Sequence, residues 1–153
     1  QDLRLTAITN TPVIAAELAG KSGIDLIVIG GKVDTNVGAS IDATALRQLE
    51  QVRPDLCILG ACGMTLEHGL AADIYEDAVF KRLAGQASAK TLAAITREKL
   101  GHKAAFNVCE LTDPLSLVLE HQADQVFTDA LTARGIEIHL AAPASLQPVI
   151  PNS

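Results

Sequence analysis

The sequence has few aromatic residues. Its 153 residues include one Tyr and three Phe, and Trp is absent. A core built from this chain must therefore consist mostly of Val, Ile, Leu and Ala. Hydrophobic residues still make up 48% and charged residues 20% of the chain, a balance that is typical of a globular protein and argues against disorder. The length fits a single domain.

Positive charge and long apolar runs are also scarce. Twelve Lys and Arg residues face eighteen Asp and Glu residues, which gives a net charge of −6. This balance argues against the chain holding nucleic acid or an anionic membrane by electrostatics. No apolar run approaches the roughly 20 residues that a bilayer-spanning helix needs, so we expect no membrane partner.

Cysteine is limited to Cys57, Cys62 and Cys109, an odd number with no CxxC pair. This pattern favours reduced thiols over a disulfide framework, and no signal peptide is evident. We therefore expect a cytoplasmic protein. Cys62 lies in a Gly-flanked loop where a nucleophile could stand, but no fixed basic partner adjoins it, so a non-catalytic thiol is favoured.

Several familiar functional motifs are absent. The sequence contains no GxGxxG after a strand, no phosphate-binding GxxxxGK[ST] loop, no HExxH and no GxSxG. Its four histidines show no metal-ligand spacing. We therefore expect no cofactor, no metal and no catalytic residue of these standard types.

The hydrophobic pattern predicts alternating strands and helices. Strands are expected at residues 3–9, 25–29, 56–59, 91–95, 115–119 and 136–140, with a short extended stretch at 104–108. Helices are expected after Thr11-Pro12, from Ser40 or Asp42 to before Pro54, at 75–87, and along the apolar stripe Ala123, Val126, Phe127, Ala130 and Leu131. Loops are expected at 32–38, 60–69 and 96–102.

This alternation indicates an α/β fold. Nearly continuous apolar strands are typical of strands that are covered on both faces. The expected architecture is therefore a mainly parallel sheet flanked by helices on both faces. Residues 1–142 form one predicted domain, and 143–153 form a Pro-containing tail. Since the chain opens at Gln1 and its only methionine is Met64, we interpret it as a fragment.

Small and polar residues follow four of the predicted strands. The ends are Thr9-Asn10-Thr11, Gly30-Gly31-Lys32, Gly60 to Gly63, and Thr96 to Lys99. In open α/β sheets ligands bind at the carboxyl ends of strands. The helix start at Thr11-Pro12 and the two lysines favour an anion. Together these ends predict a cleft for a small phosphorylated or carboxylated ligand.

Each of these features also has a structural interpretation. A Gly pair after a strand is more often a turn, and Asn10 with Thr11 is more often a helix cap. Glu76 and its neighbouring aspartates lie near a helix start, where carboxylates are favoured anyway. The alternative is that Glu76 points into the cleft toward ligand hydroxyls.

In order and spacing, these segments resemble the effector domains of DeoR-type bacterial transcription regulators. The resemblance covers nearly the whole chain, and no single motif decides it. The matching segments are Ala7 to Pro12 (AITNTP), Ile27 to Gly31 (IVIGG), Gly38 with Ala45-Leu46, Cys57 to Gly63 (CILGACG), Gly69-Leu70 with Glu76 to Arg82 (EDAVFKR), Ile95 to Gly101 (ITREKLG), and the closing helix, Gly135 and IEIHL strand.

The resemblance implies the fold of sugar-phosphate isomerases and CoA transferases. It implies a non-catalytic sensor of a phosphorylated sugar or a related metabolite, and a homo-oligomer. DNA would be bound only by a helix-turn-helix region upstream of Gln1. The family's first strand and its phosphate loop would also precede Gln1, so the chain is expected to be N-terminally truncated.

The expected ligand-binding residues are Asn10, Thr11, Gly30, Gly31, Gly63, Glu76 and Lys99. Cys62 and Thr96 stand where the family commonly has Asp, and Thr11 where it commonly has Ser. Two lost carboxylates weaken an enzymatic interpretation, since isomerisation needs a positioned base. A sugar-phosphate isomerase or transferase, with Glu76 or His68 as base, remains the alternative, and a purely structural oligomerisation module is a third.

Overall fold

A computed structural model describes residues 4–112 and 114–143. Within them the strands are β1 Leu5–Thr9, β2 Ile24–Val28, β3 Val33–Asp34, β4 Ala39–Ser40, β5 Leu56–Gly60, β6 Gly63–Thr65, β7 Gly69–Ala72, β8 Lys90–Ile95, β9 Phe106–Cys109, β10 Leu115–Glu120 and β11 Glu137–Ala141. The helices are α1 Pro12–Leu18, α2 Ala43–Leu49, α3 Tyr75–Ala87 and α4 Gln125–Ala133, with a 3-10 turn at Arg97–Lys99. Apart from Pro143, the expected tail lies outside the described residues.

Parallel pairing dominates the larger sheet, as expected. Its four strands are ordered β11-β10-β8-β5 and all pair in parallel. Strands β1 and β2 form a separate parallel pair, while β6, β7 and β9 form an antiparallel sheet and β3 and β4 a hairpin. The predicted α/β class with a parallel sheet is therefore confirmed.

The two loops predicted at 32–38 and 60–69 are partly wrong. The first contains β3 and leads into β4, and the second contains β6 and ends at β7. These strands have only two to four residues, too few for an alternating pattern to stand out. Strand β7 also pairs with β9, which is remote in the sequence, so no local pattern marks it as a strand.

Asp42 caps helix α2 with its side chain, whereas Thr11 does not cap helix α1. Asp42 caps α2, since its carboxylate accepts a hydrogen bond of 3.0 Å from the Ala45 amide. Thr11 occupies the cap position of α1, with Pro12 following, but its side chain makes no capping hydrogen bond. The expectation that the Thr11 hydroxyl caps this helix is therefore wrong: the hydroxyl contacts the Asn10 side chain.

Two hydrophobic cores are joined through α3. The larger core lies between one face of the four-stranded sheet and the antiparallel sheet, and includes Met64, Leu70 and Leu117, all fully buried. The smaller core surrounds α2 and the ends of β2 and β4. Helix α3 contributes Ala78 to the larger core and Phe80 to the smaller one, so it holds both together.

Only one face of the four-stranded sheet is covered by described residues. On the covered face Leu59, Ala93 and Leu117 are 7%, 0% and 0% exposed, whereas Ile58 on the opposite face is 71% exposed. Helices α3 and α4 both pack into the core on the covered face. For the part of the chain that the structure describes, the expectation of helices on both faces is therefore wrong.

One residue of the expected α4 stripe also faces solvent. Leu131 is fully buried, but Val126 is 77% exposed, because α4 packs along a narrower face than the apolar pattern suggested. No helix among the described residues is long and apolar enough to cross a membrane.

Candidate functional site

Asn10 is held at the carboxyl end of β1 by the strand β4. Its side-chain amide donates a hydrogen bond of 2.9 Å to the Ser40 carbonyl oxygen, and its own carbonyl accepts one of 2.9 Å from the Ser40 amide. The Thr11 hydroxyl lies 3.5 Å from the Asn10 side-chain oxygen. Asn10 and Thr11 are both half-buried. The pair therefore presents polar groups at a fixed position beside β4.

The Gly30-Gly31 turn is held by two side chains of the α2 region. The Gly30 amide donates to the Gln48 side-chain oxygen at 3.0 Å, and the Lys32 amide donates to the Asp42 carboxylate at 3.1 Å. These two amide donors are satisfied within the protein, so they support the interpretation as a structural turn. The turn borders the β4–α2 segment through Asp42, just as Asn10 does through Ser40.

Gly31 has a backbone conformation that requires glycine. Its φ is +134°, and a Cβ atom at this position would collide with the Asp42 carboxylate, 3.0 Å from the carboxyl carbon and closer still to one oxygen. Hydrogen bonds from the Ala45 and Lys32 amides lower the pKa of Asp42 below its ordinary 3.8. A charged carboxylate therefore lies directly against the turn at neutral pH.

Gly63 and Lys99 lie on two segments that contact each other. A Cβ atom on Gly63 would collide with the His102 carbonyl group. The Gly101 amide donates to the Met64 carbonyl at 2.7 Å, and Met64 also bridges to Leu100. The 3-10 turn that carries Lys99 is therefore attached to the start of β6, and Lys99 is half-buried there.

At the start of α3, Asp77 is buried and Glu76 is exposed. Asp77 is buried, and its carboxylate lies 2.6 Å from the Lys81 ammonium nitrogen one turn later. Glu76 is exposed in the first turn. The structural interpretation therefore applies to Asp77, and Glu76 retains an accessible carboxylate.

Contacts thus connect six of the seven expected ligand-binding residues into two groups. Asn10, Thr11, Gly30 and Gly31 surround the β4–α2 junction, and Gly63 and Lys99 surround the β6 start. Among the described residues no hydrogen bond joins the two groups or links Glu76 to either. A single cleft formed by all seven stays a prediction.

Two cavities lie near other residues. One of about 470 Å³ is lined by Thr96, Arg97, Glu98 and Glu120, at the carboxyl ends of β8 and β10. There the Arg97 amide donates to the Glu120 carboxylate at 3.0 Å. It adjoins the segment that carries Lys99, but none of the seven expected ligand-binding residues lines it, and the cleft expected at this edge stays a prediction.

The larger cavity, about 580 Å³, lies beside the antiparallel sheet. Its lining includes His68, Lys103 and Arg134, and the Arg134 guanidinium donates to the Leu66 carbonyl oxygen. Lys103 and Arg134 are not among the residues predicted from the sequence. They carry no motif, and only the packing of α4 against the β6–β7 turn brings them together.

Burial works against nucleophilic activation of two of the three thiols. Burial raises the pKa of Cys57, and it raises that of Cys109 to about 11. Both thiols therefore stay protonated at neutral pH. The Cys62 amide donates to the Ala71 carbonyl at 2.9 Å, which joins β6 to β7. In the described residues no group of three or more His, Cys, Asp or Glu side chains is placed to hold a metal ion.

The family model described as "DeoR C terminal sensor domain" matches residues 1–121. The chain belongs to this family. The resemblance drawn from the segments around Asn10, Gly31 and Gly63 is therefore confirmed. Because the match extends from β1 through β10, it covers every residue of both contact groups and Glu76.

Curated relatives of this DeoR sensor domain are named as transcription regulators. It is 28% identical over 133 residues to the HTH-type transcriptional repressor GlcR of Bacillus subtilis, covering 87% of this chain and 51% of the relative. It is 27% identical over 139 residues to the HTH-type transcriptional regulator GolR of Listeria innocua (90% and 54%). It is 24% identical over 132 residues to the L-fucose operon activator of Escherichia coli (86% and 54%). The chain spans about half the length of these relatives.

Proposed function

We propose that this DeoR sensor domain binds a phosphorylated sugar or a similar small anionic metabolite and thereby controls a transcription regulator. The family match to residues 1–121 carries the proposal. The regulator would bind DNA through a helix-turn-helix region outside these 153 residues. This assignment agrees with the net charge of −6, because an acidic sensor has no need to hold DNA itself.

The proposed ligand site uses groups that differ in chemistry. Lys99, half-buried on the turn attached to β6, supplies positive charge to the anionic group. Asn10, Thr11 and the exposed Glu76 carboxylate supply hydrogen bonds to hydroxyl groups. At Gly31 and Gly63 the Asp42 carboxylate and the His102 carbonyl group fill the space that a side chain would occupy, so these two glycines contribute only backbone atoms to the proposed site.

The proposed output is a change in operator affinity. Ligand binding closes the site and shifts the population toward one packing of the subunits in a cytoplasmic homo-oligomer, which alters the spacing of the DNA-binding regions. A tenfold change in DNA affinity requires a coupling free energy of only about 1.4 kcal/mol. The named relatives include both a repressor and an activator. Whether the ligand raises or lowers operator affinity is therefore to be measured by DNA binding with and without the ligand.

Thermal shift tests the proposal in the longer polypeptide that carries this domain. We expect a phosphorylated sugar to raise Tm and its unphosphorylated counterpart to have no effect. At 100 times Kd the stabilisation is about 2.7 kcal/mol. Lys99→Ala should abolish the shift, whereas Lys90→Ala, a matched change of an exposed lysine at the amino end of β8, should preserve it.

Two outcomes would contradict the proposal. Turnover of a pentose or hexose phosphate that Glu76→Gln abolishes would establish the alternative, a sugar-phosphate isomerase or transferase. The absence of a shift with every phosphorylated sugar and related anion would favour a purely structural oligomerisation module.

A further inference from the structure

The larger cavity, about 580 Å³, lies on the side of the antiparallel sheet that faces away from the larger core. Leu70 and Ala72 on β7 belong to that core, so Ala71 between them points the other way and lines the cavity. The register places Ala71 opposite Asn107 on β9, which lines the cavity too. Small-molecule sites usually have volumes of about 300–1,000 Å³. None of the seven expected ligand-binding residues lines this cavity, so it is separate from the proposed effector site.

One part of the lining, called the apolar floor below, consists of aliphatic side chains. Ala71 and Leu111 are each 7% exposed, so packing holds them in place. Leu66 on the β6–β7 turn and Ala104 and Ala105 before β9 complete the floor. An aliphatic group of a ligand would be removed from water here, which favours its binding.

Two cations come to this cavity from distant parts of the chain. Lys103 precedes β9, and Arg134 follows α4. The Arg134 guanidinium donates a hydrogen bond to the Leu66 carbonyl oxygen, which fixes it beside the apolar floor. In the part of the chain that the structure describes, neither cation forms an ion pair. A guanidinium has five N–H donors in a planar fork that matches a carboxylate, so Arg134 can bind one.

Two carboxylates line the same cavity. The Glu67 side chain is 82% exposed, and its carboxylate lies 3.4 Å from the His68 Nε2 atom. Glu110 is exposed, and among residues 4–112 and 114–143 it has no ion-pair partner. Glu110 is therefore the carboxylate that is placed to receive a cationic group.

We propose that this cavity binds a free α-amino acid with an aliphatic side chain. The ligand carboxylate binds Arg134, its ammonium group binds Glu110, and its side chain lies on the apolar floor. A ligand with only a negative charge would meet the carboxylates of Glu67 and Glu110, and one with only a positive charge would meet Lys103 and Arg134. A molecule that carries both charges satisfies both sets of groups.

Calorimetric titration of the longer polypeptide with L-leucine and two analogues tests the inference. 4-Methylpentanoate keeps the carboxylate and the side chain but lacks the ammonium group, and L-leucinamide keeps the ammonium group but lacks the carboxylate. We expect L-leucine to bind and each analogue to bind at least about tenfold more weakly, because each leaves one charged group of the cavity without its partner. Equal affinity for either analogue, or no binding of L-leucine, L-valine or L-alanine at millimolar concentration, would overturn the proposal.

Substitutions in the same polypeptide test whether the cavity is the site. Glu110→Gln should weaken L-leucine binding at least about tenfold, whereas Glu17→Gln, a matched change of an exposed glutamate on α1, should leave it unchanged. Arg134→Gln should weaken binding similarly, with Arg47→Gln on α2 as its control. Because Arg134→Gln also removes the hydrogen bond to Leu66, Glu110→Gln decides: L-leucine binding that it leaves unchanged would overturn the proposal. No phosphorylated sugar takes part in these measurements, so failure of the proposed sensing function would leave this test unchanged.

Discussion

Replacing Gly31 by alanine is expected to destabilise the turn that follows β2. At φ +134° an alanine is in a sparsely populated backbone region, which costs about 1–3 kcal/mol. The added Cβ would also displace the Asp42 carboxylate, which accepts hydrogen bonds from the Lys32 and Ala45 amides. For a domain of this size the backbone cost alone lowers Tm by roughly 3–10 °C.

Substitutions of two other glycines separate the effect of backbone strain from the effect of the collision with Asp42. Gly60→Ala introduces a Cβ with nothing within 4 Å at an ordinary φ, so Tm should stay nearly unchanged. Gly38→Ala, at φ +74° with equally open surroundings, adds backbone strain without a collision. We expect Gly31→Ala to be the most destabilising of the three in thermal or urea denaturation.

A double-mutant cycle then tests the collision itself. In the Asp42→Ala background the carboxylate is gone, so Gly31→Ala should cost less than it does in the wild type. Equal costs in both backgrounds would refute the inferred contact between Gly31 and Asp42. A Gly31→Ala protein as stable as Gly60→Ala would refute the backbone argument as well.

Two further predictions concern core packing and pH. Leu117→Ala, at a fully buried position of the central strands, should lower the free energy of unfolding by about 2–5 kcal/mol in urea titrations, whereas Val126→Ala, 77% exposed, should change it by less than about 0.5 kcal/mol. Because the pKa of Asp42 is lowered below 3.8 in the fold, its stabilising effect is fully present above that pH and is lost as the pH falls through the folded value. The Tm difference between wild type and Asp42→Ala should therefore be constant from pH 5 to 7 and shrink below pH 3.8; a difference that stays constant to pH 2 would contradict this.

Long periodic elements could be predicted from the sequence, while elements formed by tertiary pairing could not. Helix α3 has the predicted bounds, 75–87, because thirteen residues give enough turns for an apolar face to stand out. The sequence predicts β6 as part of a loop that ends at Gly69, the first residue of β7, because these short strands are stabilised by pairing: β6 with β7, and β7 with β9. Apolar runs also cannot show which sheet face is covered, as Ile58 demonstrates.

For the candidate site, the sequence could locate the strand ends but not the groups that hold them. Gly30-Gly31 and Asn10 were identified because polar and small residues follow apolar strands. Asp42, predicted only as one of two candidate starts of α2, and Gln48, which no motif marks, bind the backbone of that turn. Their role depends on the way α2 folds back over β2, which no local pattern encodes.

Helix α3 contributes side chains to both hydrophobic cores, and this has a consequence for unfolding. The smaller core cannot open without displacing Phe80. Ala78, two residues earlier on the same helix, is buried in the larger core, so displacing Phe80 also disturbs the larger core. Cooperative units in proteins usually follow such shared elements. The two cores should therefore melt as one unit, with a calorimetric enthalpy equal to the van't Hoff value.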